Sequence, residues 1–274
     1  MYAAAAAARP RAWNAIQDAY LRAIEHLDDN LVSGAANMGD LQNGKGDFFN
    51  DLLALLLEGC AEIPLYSRRL VPGFIFPTHN LDITYPGEIT DVARFLVEAK
   101  ALGTPKHPGN PEQGPLGRPG SADIRKRVSE LAFKTIDLKA EHGRIEAMEG
   151  RRPTVNPGGN LTTWLRAASP RTYLFISARV ISETDLRAVI SYAGRAAQVE
   201  DGVGVFCYEP VSETTPTRYQ PVTRGIPTEL QLARALYRAC EDLTVIVAQP
   251  TIKMPDAVVA EAINAETLDE ETGA

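Results

Sequence analysis

The chain has 274 residues, 45% of them hydrophobic, and a formal net charge of −7. That length suits one large domain or two small ones, and the hydrophobic share is ordinary for a globular protein. The longest candidate apolar run, Leu52–Leu57, is far short of the roughly 18 residues a membrane helix needs, and a net-negative chain is not a nonspecific nucleic-acid coat.

The first nine residues are Ala-rich but lack a basic leader before an apolar core, so they read as a helical or frayed lead-in rather than a signal peptide. Trp13, Ile16, Tyr20, Ile24, Leu27 and Leu31 recur every three or four residues. They predict a helical N-terminal extension over residues 10–40, its stripe packed on the core or on a second subunit. A polar, Gly-rich break over 33–46 precedes a strongly apolar helix, Asp47 to Glu58. The next segment carries Arg68, Arg69 and His79, the histidine reading as structural or as a nucleic-acid contact. Two strand-like runs follow, Asn80–Tyr85 and Ala93–Leu102, and then a Pro- and Gly-rich stretch from Gly103 to Ser121. Breakers at that density exclude a helix or a central strand, and a loop of that length is usually functional or disordered.

A long helix is predicted from Asp123 to about Glu141 or Met148. On it Asp137 and Lys139, two apart, point away from each other and read as solvated. Trp164, in Leu161–Leu165, reads as core. The order continues with a strand Thr172–Ile181, a helix Glu183–Val199, a strand Val203–Tyr208 and a polar loop Ser212–Thr228. A helix–strand–helix addition is predicted over 228–267, its strand at Leu243–Ala248, and the acidic residues 268–274 read as a disordered tail. No repeat or clean linker divides the chain, so a single α/β domain is expected, with helical additions at both ends. Cys60, Cys207 and Cys240 are odd in number and far apart. They fit buried thiols of a reducing cytoplasm, not a disulfide framework or a zinc site.

Charge is uneven along the chain. Residues 100–152 hold 11 Lys or Arg and 7 Asp or Glu, a local +4 that leaves −11 for the remainder. A basic field of this kind is what phosphate binding requires, although a mixed solvated helix face has the same composition.

The chemistry concentrates at Asp82, Glu98 and Lys100. Side chains alternate along a strand, so Glu98 and Lys100 share one face of the second run. The 16 residues from Asp82 to Glu98 leave room for a turn and a returning strand. Two carboxylates are hard oxygen ligands, and a lysine beside them can orient or deprotonate a water or hold a phosphate.

This pattern resembles the PD-(D/E)XK nuclease superfamily, the restriction-endonuclease-like phosphodiesterases. Asp82 matches the first acid, Glu98 the second and Lys100 the lysine, while Leu81 stands where the family has proline. The order of elements over about residues 45–210 is similar as well. The resemblance implies a mixed central sheet flanked by helices, with Mg²⁺ (or Mn²⁺ in its place) held by Asp82, Glu98 and the Ala99 carbonyl. A further ligand would come from Asp51 or Asn50 on the preceding helix. It implies double-stranded DNA as substrate, with Arg68, Arg69, Lys106, His107, Asn110, Gln113, Arg118, Arg125, Lys126, Arg218 and Arg224 as candidate contacts. A stand-alone enzyme of this size looks like a type II restriction endonuclease, acting as a homodimer beside a cognate methyltransferase. Three other readings stay open: a structure-specific or defence nuclease, a catalytically silent binding module on the same fold, and a fortuitous salt bridge between strands.

Overall fold

The computed structural model describes residues 13–110, 113–150 and 160–272, with side chains to 264. The Ala-rich lead-in and most of the polar stretch after Gly150 lie outside the described residues. Six strands form one mixed sheet in sequential order: β1 (Tyr66–Pro72), β2 (Thr78–Tyr85), β3 (Phe95–Leu102), β4 (Arg171–Arg179), β5 (Gly202–Ser212) and β6 (Thr215–Val222). β3, β4 and β5 run parallel, and the pairs β1–β2, β2–β3 and β5–β6 are antiparallel. Residues 172–179 of β4 are all buried, as the central strand of a sheet covered on both faces must be.

Helices cover both faces. α1 (Trp13–Val32), α2 (Met38–Ala61) and α6 (Leu232–Val247) pack over Phe95, Val97, Phe175 and Phe206. α3 (Ser121–Met148) and α5 (Glu183–Ala196) pack over Leu102, Leu174, Ile176 and Val205. The short α4 (Leu161–Ala167) leads into β4, and α7 (Asp256–Thr272) contacts β1 and β2. The α1 stripe therefore lies on the core. No described helix is long and apolar enough to cross a membrane.

Several sequence expectations change. β1 and β6 were not anticipated. They are the edge strands, where proline is tolerated because one row of ladder bonds is absent. Pro72, Pro216 and Pro221 within them disguise strands as loop. Residues 215–222 of the predicted polar loop 212–228 are thus the return strand of a hairpin. The predicted strand Leu243–Ala248 is instead the last turns of α6, whose buried Leu236, Ala239, Leu243 and Ile246 keep helical spacing through the β-branched run while Val245 faces outward. Helix α2 begins at Met38, capped by Asn37, whose side chain accepts from the Asp40 N–H at 2.9 Å. Gly44 and Gly46 consequently sit inside the helix, not before it. The last helix continues through Thr272, into the acidic stretch 268–274 whose final two residues lie outside the described residues. Trp164 is only half-buried. Among the thiols, Cys207 and Cys240 are buried and Cys60 is partly so, all three free.

Asp137 and Lys139 do point apart on α3, but neither is solvated, because α3 is flanked on both sides. Asp137 is 2% exposed. It accepts from the backbone N–H groups of Ile75 (2.7 Å) and Phe76 (3.3 Å) and pairs with His79 Nε2 at 2.7 Å. Gly73 is required in that turn, since a Cβ there would lie 2.2 Å from Asp137 Oδ2. Lys139, 1% exposed, donates to the carbonyls of Leu165 (2.6 Å) and Ala168 (3.0 Å) and to Asp201 Oδ2 (2.9 Å). Removing a buried acceptor strands its donors, at about 1–3 kcal/mol or more for charged groups. Asp137→Ala is therefore expected to destabilise the fold by about 3 kcal/mol. Urea denaturation reads this directly, and a loss under about 0.5 kcal/mol would contradict it.

Candidate active site

The pairing of β2 with β3 ends at Ile83↔Val97. Beyond it the strands part, and the parting falls at Asp82 and Glu98. Local backbone geometry contributes. Leu81 packs with Leu138 of α3, whereas Ile83 packs in the cluster on the opposite face, so the usual alternation is interrupted at Asp82. Facing it on β1 is Arg68, with a left-handed φ of 57° that is uncommon for a residue bearing a Cβ.

The parted strands converge through side chains. Asp82 Oδ2 accepts from the Ala99 N–H at 2.7 Å and from Lys100 Nζ at 2.8 Å. Lys100 Nζ lies 2.6 Å from Glu98 Oε2 as well, so one ammonium bridges both carboxylates. The other oxygen of Glu98, Oε1, is 2.5 Å from Lys134 Nζ, which also donates to the Asn80 carbonyl at 2.8 Å. The Glu98 side chain is 5% exposed, against 30% for Asp82 and 27% for Lys100.

Burial pushes the Lys100 pKa down, but the neighbouring Glu98 and Asp82 outweigh it, and the net shift is upward. In this arrangement Lys100 is a held cation, not the depressed-pKa base that deprotonating a water requires.

The donor set suits a hard cation. Two carboxylates from neighbouring strands already share one positive point. The N–H and C=O of one strand residue project to the same side, so the Ala99 carbonyl faces the same gap as its N–H. Asn50 is buried, its Nδ2 donating to the Asp82 carbonyl at 3.2 Å, while its Oδ1 has no hydrogen-bond partner. Asn50 lines the cleft with Asp82, Ala99 and Lys100. Asp51 is exposed and is not part of that lining. Oxygen ligands of this type fit Mg²⁺ or Mn²⁺. Among the described residues no cluster of three or more His, Cys, Asp or Glu is placed to hold a metal ion, so a site here would draw on amide and backbone oxygens beside its two carboxylates.

The cleft has a volume of about 320 Å³ and is ringed by Arg68, Arg118 and Arg127. Each guanidinium has an acidic partner: Asp47 for Arg68, Asp123 for Arg118 at 2.6 Å, Glu130 for Arg127 at 3.1 Å. Buried Thr104 also lines it, with an unpartnered Oγ1. The loop that begins at Gly103 is not a free arm. Thr104 and Arg118 exchange backbone hydrogen bonds at 3.0 and 2.8 Å, and fully buried Arg179 donates to the Leu116 carbonyl at 2.5 Å. Gly117, at φ 79°, is required where the returning chain crosses Pro105, since a Cβ there would be 2.3 Å from the Pro105 carbonyl carbon.

The predicted contact residues divide accordingly. Arg68 and Arg118 reach the cleft. Lys106, His107, Asn110 and Gln113 sit on the pinned loop, with Asn110 exposed and the others partly buried, and His107 N donates to Gln113 Oε1 at 3.2 Å. Arg125 and Lys126 are exposed on the first turns of α3. Arg69 does not fit the expectation. It is 7% exposed and turns inward to the carbonyls of Pro86 and Asp91, and burial brings its pKa down to about 10. Arg218 pairs with Asp29 at 2.8 Å, and Arg224 forks onto Glu209 at 2.6 and 2.9 Å. Both lie at the far side of the sheet and outside the cleft. His79 is held by Asp137, with burial lowering its pKa, which is the structural role.

Two residues escaped the sequence: Lys134 and Lys45, the latter 1% exposed and salt-bridged to Asp28 at 3.1 Å beside the cleft. No short-range spacing links Lys134 to Glu98, 36 residues away. Only the packing of α3 under β3 brings them together.

No protein-family model, curated protein or solved structure matches this chain.

Proposed function

We propose that the protein is a Mg²⁺-dependent DNA endonuclease of the restriction-endonuclease-like PD-(D/E)XK type. The observation that carries this reading is that Asp82 and Glu98, from strands parting at that point, both bind a single cationic centre at the wall of a cleft ringed by arginines. Strand order supports it too, with an antiparallel pair bearing the acids followed by parallel strands over helices.

Asp82, Glu98, the Ala99 carbonyl and Asn50 would hold the ion. Bound there, Mg²⁺ supplies Lewis-acid stabilisation of charge on the phosphate and acidifies a water. The Ala99 N–H fixes the Asp82 carboxylate, and Lys134 fixes Glu98. Lys100, once its carboxylate partners are engaged elsewhere, orients the attacking water or holds the phosphate. Arg68, Arg118 and Arg127 bind flanking phosphates, exchanging their acidic partners for the backbone. In-line attack leaves 5′-phosphate and 3′-hydroxyl ends. Cutting both strands of a short palindrome calls for two such sites, hence a homodimer, and a cognate methyltransferase to protect the host's own copies.

One observation favours a plainer reading. Two lysines and two carboxylates form a neutral network, which a purely structural interstrand salt bridge would also give. The unpartnered Asn50 Oδ1 and Thr104 Oγ1, buried atoms of two residues that line the same cleft, weigh against it, because buried polar atoms normally find partners.

Digestion of plasmids of different sequence, with the fragment ends sequenced, separates the alternatives. A restriction enzyme yields discrete fragments sharing one terminal sequence. A smear, or cutting only of branched or modified DNA, moves the assignment to a structure-specific or defence nuclease.

A further inference from the structure

We infer that Lys134 is a positioning residue that sets the gap between Asp82 and Glu98 by clipping β2 to β3 where their ladder has opened. This rests on the nuclease reading of the cleft.

Past Ile83↔Val97 no ladder pairing joins the two strands, and side chains take over. Two of the bridging contacts, Ala99 N and Lys100 Nζ, converge on Asp82 Oδ2. Lys134 is different. Its ammonium comes from outside the sheet, on α3, and touches a backbone atom of β2, the Asn80 carbonyl at 2.8 Å, and a side-chain atom of β3, Glu98 Oε1 at 2.5 Å. Its helix is anchored on both sides of this position by buried Leu131 and Thr135 and by Leu138 one turn on. The clip therefore has a fixed base.

The two lysines divide Glu98 between them. Lys100 lies on Oε2, between Glu98 and Asp82, and Lys134 lies on Oε1. A divalent ion shared by both carboxylates competes with Lys100 for its place. Lys134 stands on the other oxygen and need not leave. It keeps the 5% exposed Glu98 side chain aimed and keeps β2 within reach of it. Hydrogen-bond partners of a ligating carboxylate typically contribute about 10–100-fold to metal affinity.

A positioning role and a mere counter-charge predict opposite signs. If Lys134 only neutralised Glu98, removing its charge would tighten binding of a cation. If it positions Glu98, its loss weakens binding although a repelling charge has gone.

The test is a Mn²⁺ titration of the full-length protein without DNA, read by the loss of the free-ion EPR signal. Lys134→Met is expected to raise the Mn²⁺ dissociation constant about 10-fold or more, and Lys134→Arg, which keeps a donor that can reach both oxygens, to restore it to within a few-fold. The Mg²⁺ concentration for half-maximal cleavage should shift in the same direction. Should Lys134→Met fail to fold, Lys134→Gln, neutral but still a donor too short for both contacts, is expected to weaken binding likewise. Unchanged or tighter Mn²⁺ binding in the folded variant, with wild type binding normally, overturns the clip alone. A wild-type protein that binds no Mn²⁺ and cuts no DNA overturns the nuclease reading and the clip with it.

Discussion

Asp82→Asn is expected to slow Mg²⁺-dependent cleavage by roughly 10³-fold while leaving the fold and DNA binding nearly intact. Asparagine keeps the volume and can still accept from the Ala99 N–H, the 2.7 Å contact that orients the side chain. What it removes is the negative charge that offsets a divalent ion, an effect of several kcal/mol at about 1.4 kcal/mol per tenfold in rate. Stability should change little. The Asp82 side chain is 30% exposed, where solvent screens its pairing with Lys100 and such pairs contribute about 0–1 kcal/mol. Single-turnover rates and a binding isotherm separate the two effects. A variant cutting within threefold of wild type would remove Asp82 from the mechanism.

A large pH-dependent stability effect is expected far from the cleft, at Glu200. This residue lies between α5 and β5, 4% exposed, accepting from Thr135 Oγ1 at 2.8 Å with its Oε2 unpartnered. Burial pushes its pKa up to about 7, against the opposing pull of hydrogen bonds from Thr135 and Thr172 and of Lys139. The unfolded chain releases this proton near the ordinary value of 4.5. Between those two values the folded state binds more protons, so stability falls as pH rises through that window and the full cost is present above about 7. The whole shift corresponds to on the order of 3 kcal/mol. Glu200→Gln retains an acceptor for Thr135 and has no proton to lose. Urea denaturation from pH 5 to pH 8 is expected to show wild type weakening and the variant flat, with the variant the more stable at pH 8 by about 1–3 kcal/mol. Parallel curves would mean that Glu200 does not titrate in this range.

How far the sequence could carry these conclusions depended on whether a feature was local. Strands β2, β3 and β4 declare themselves as apolar runs, and helices α1, α3 and α5 by period. The pairing of Glu98 with Lys100 on one face follows from alternation alone. Asp82 was legible as a candidate because a return strand fits between it and Glu98. That its side chain would meet theirs depends on the slip in alternation opposite Arg68, which no pattern announces. The edge strands were hidden by proline, and the end of α6 by a β-branched run whose helical register only packing enforces. Charge was the least legible property. Arg69, Lys139 and Asp137 look like surface residues in sequence yet lie buried, each held by partners at least 17 residues away. Lys134 looks like any helix cation and lies on the Glu98 carboxylate.

Nicking of supercoiled plasmid by the purified protein, with Mg²⁺ and with Mg²⁺ plus excess chelator, tests the central claim most directly. The account predicts conversion to nicked and linear DNA that the chelator abolishes and that Glu98→Gln lacks. Supercoiled DNA of both unmodified and modified origin left intact by folded wild-type protein would contradict it and leave the Asp82–Lys100–Glu98 cluster as part of a catalytically silent binding module or as a structural salt bridge.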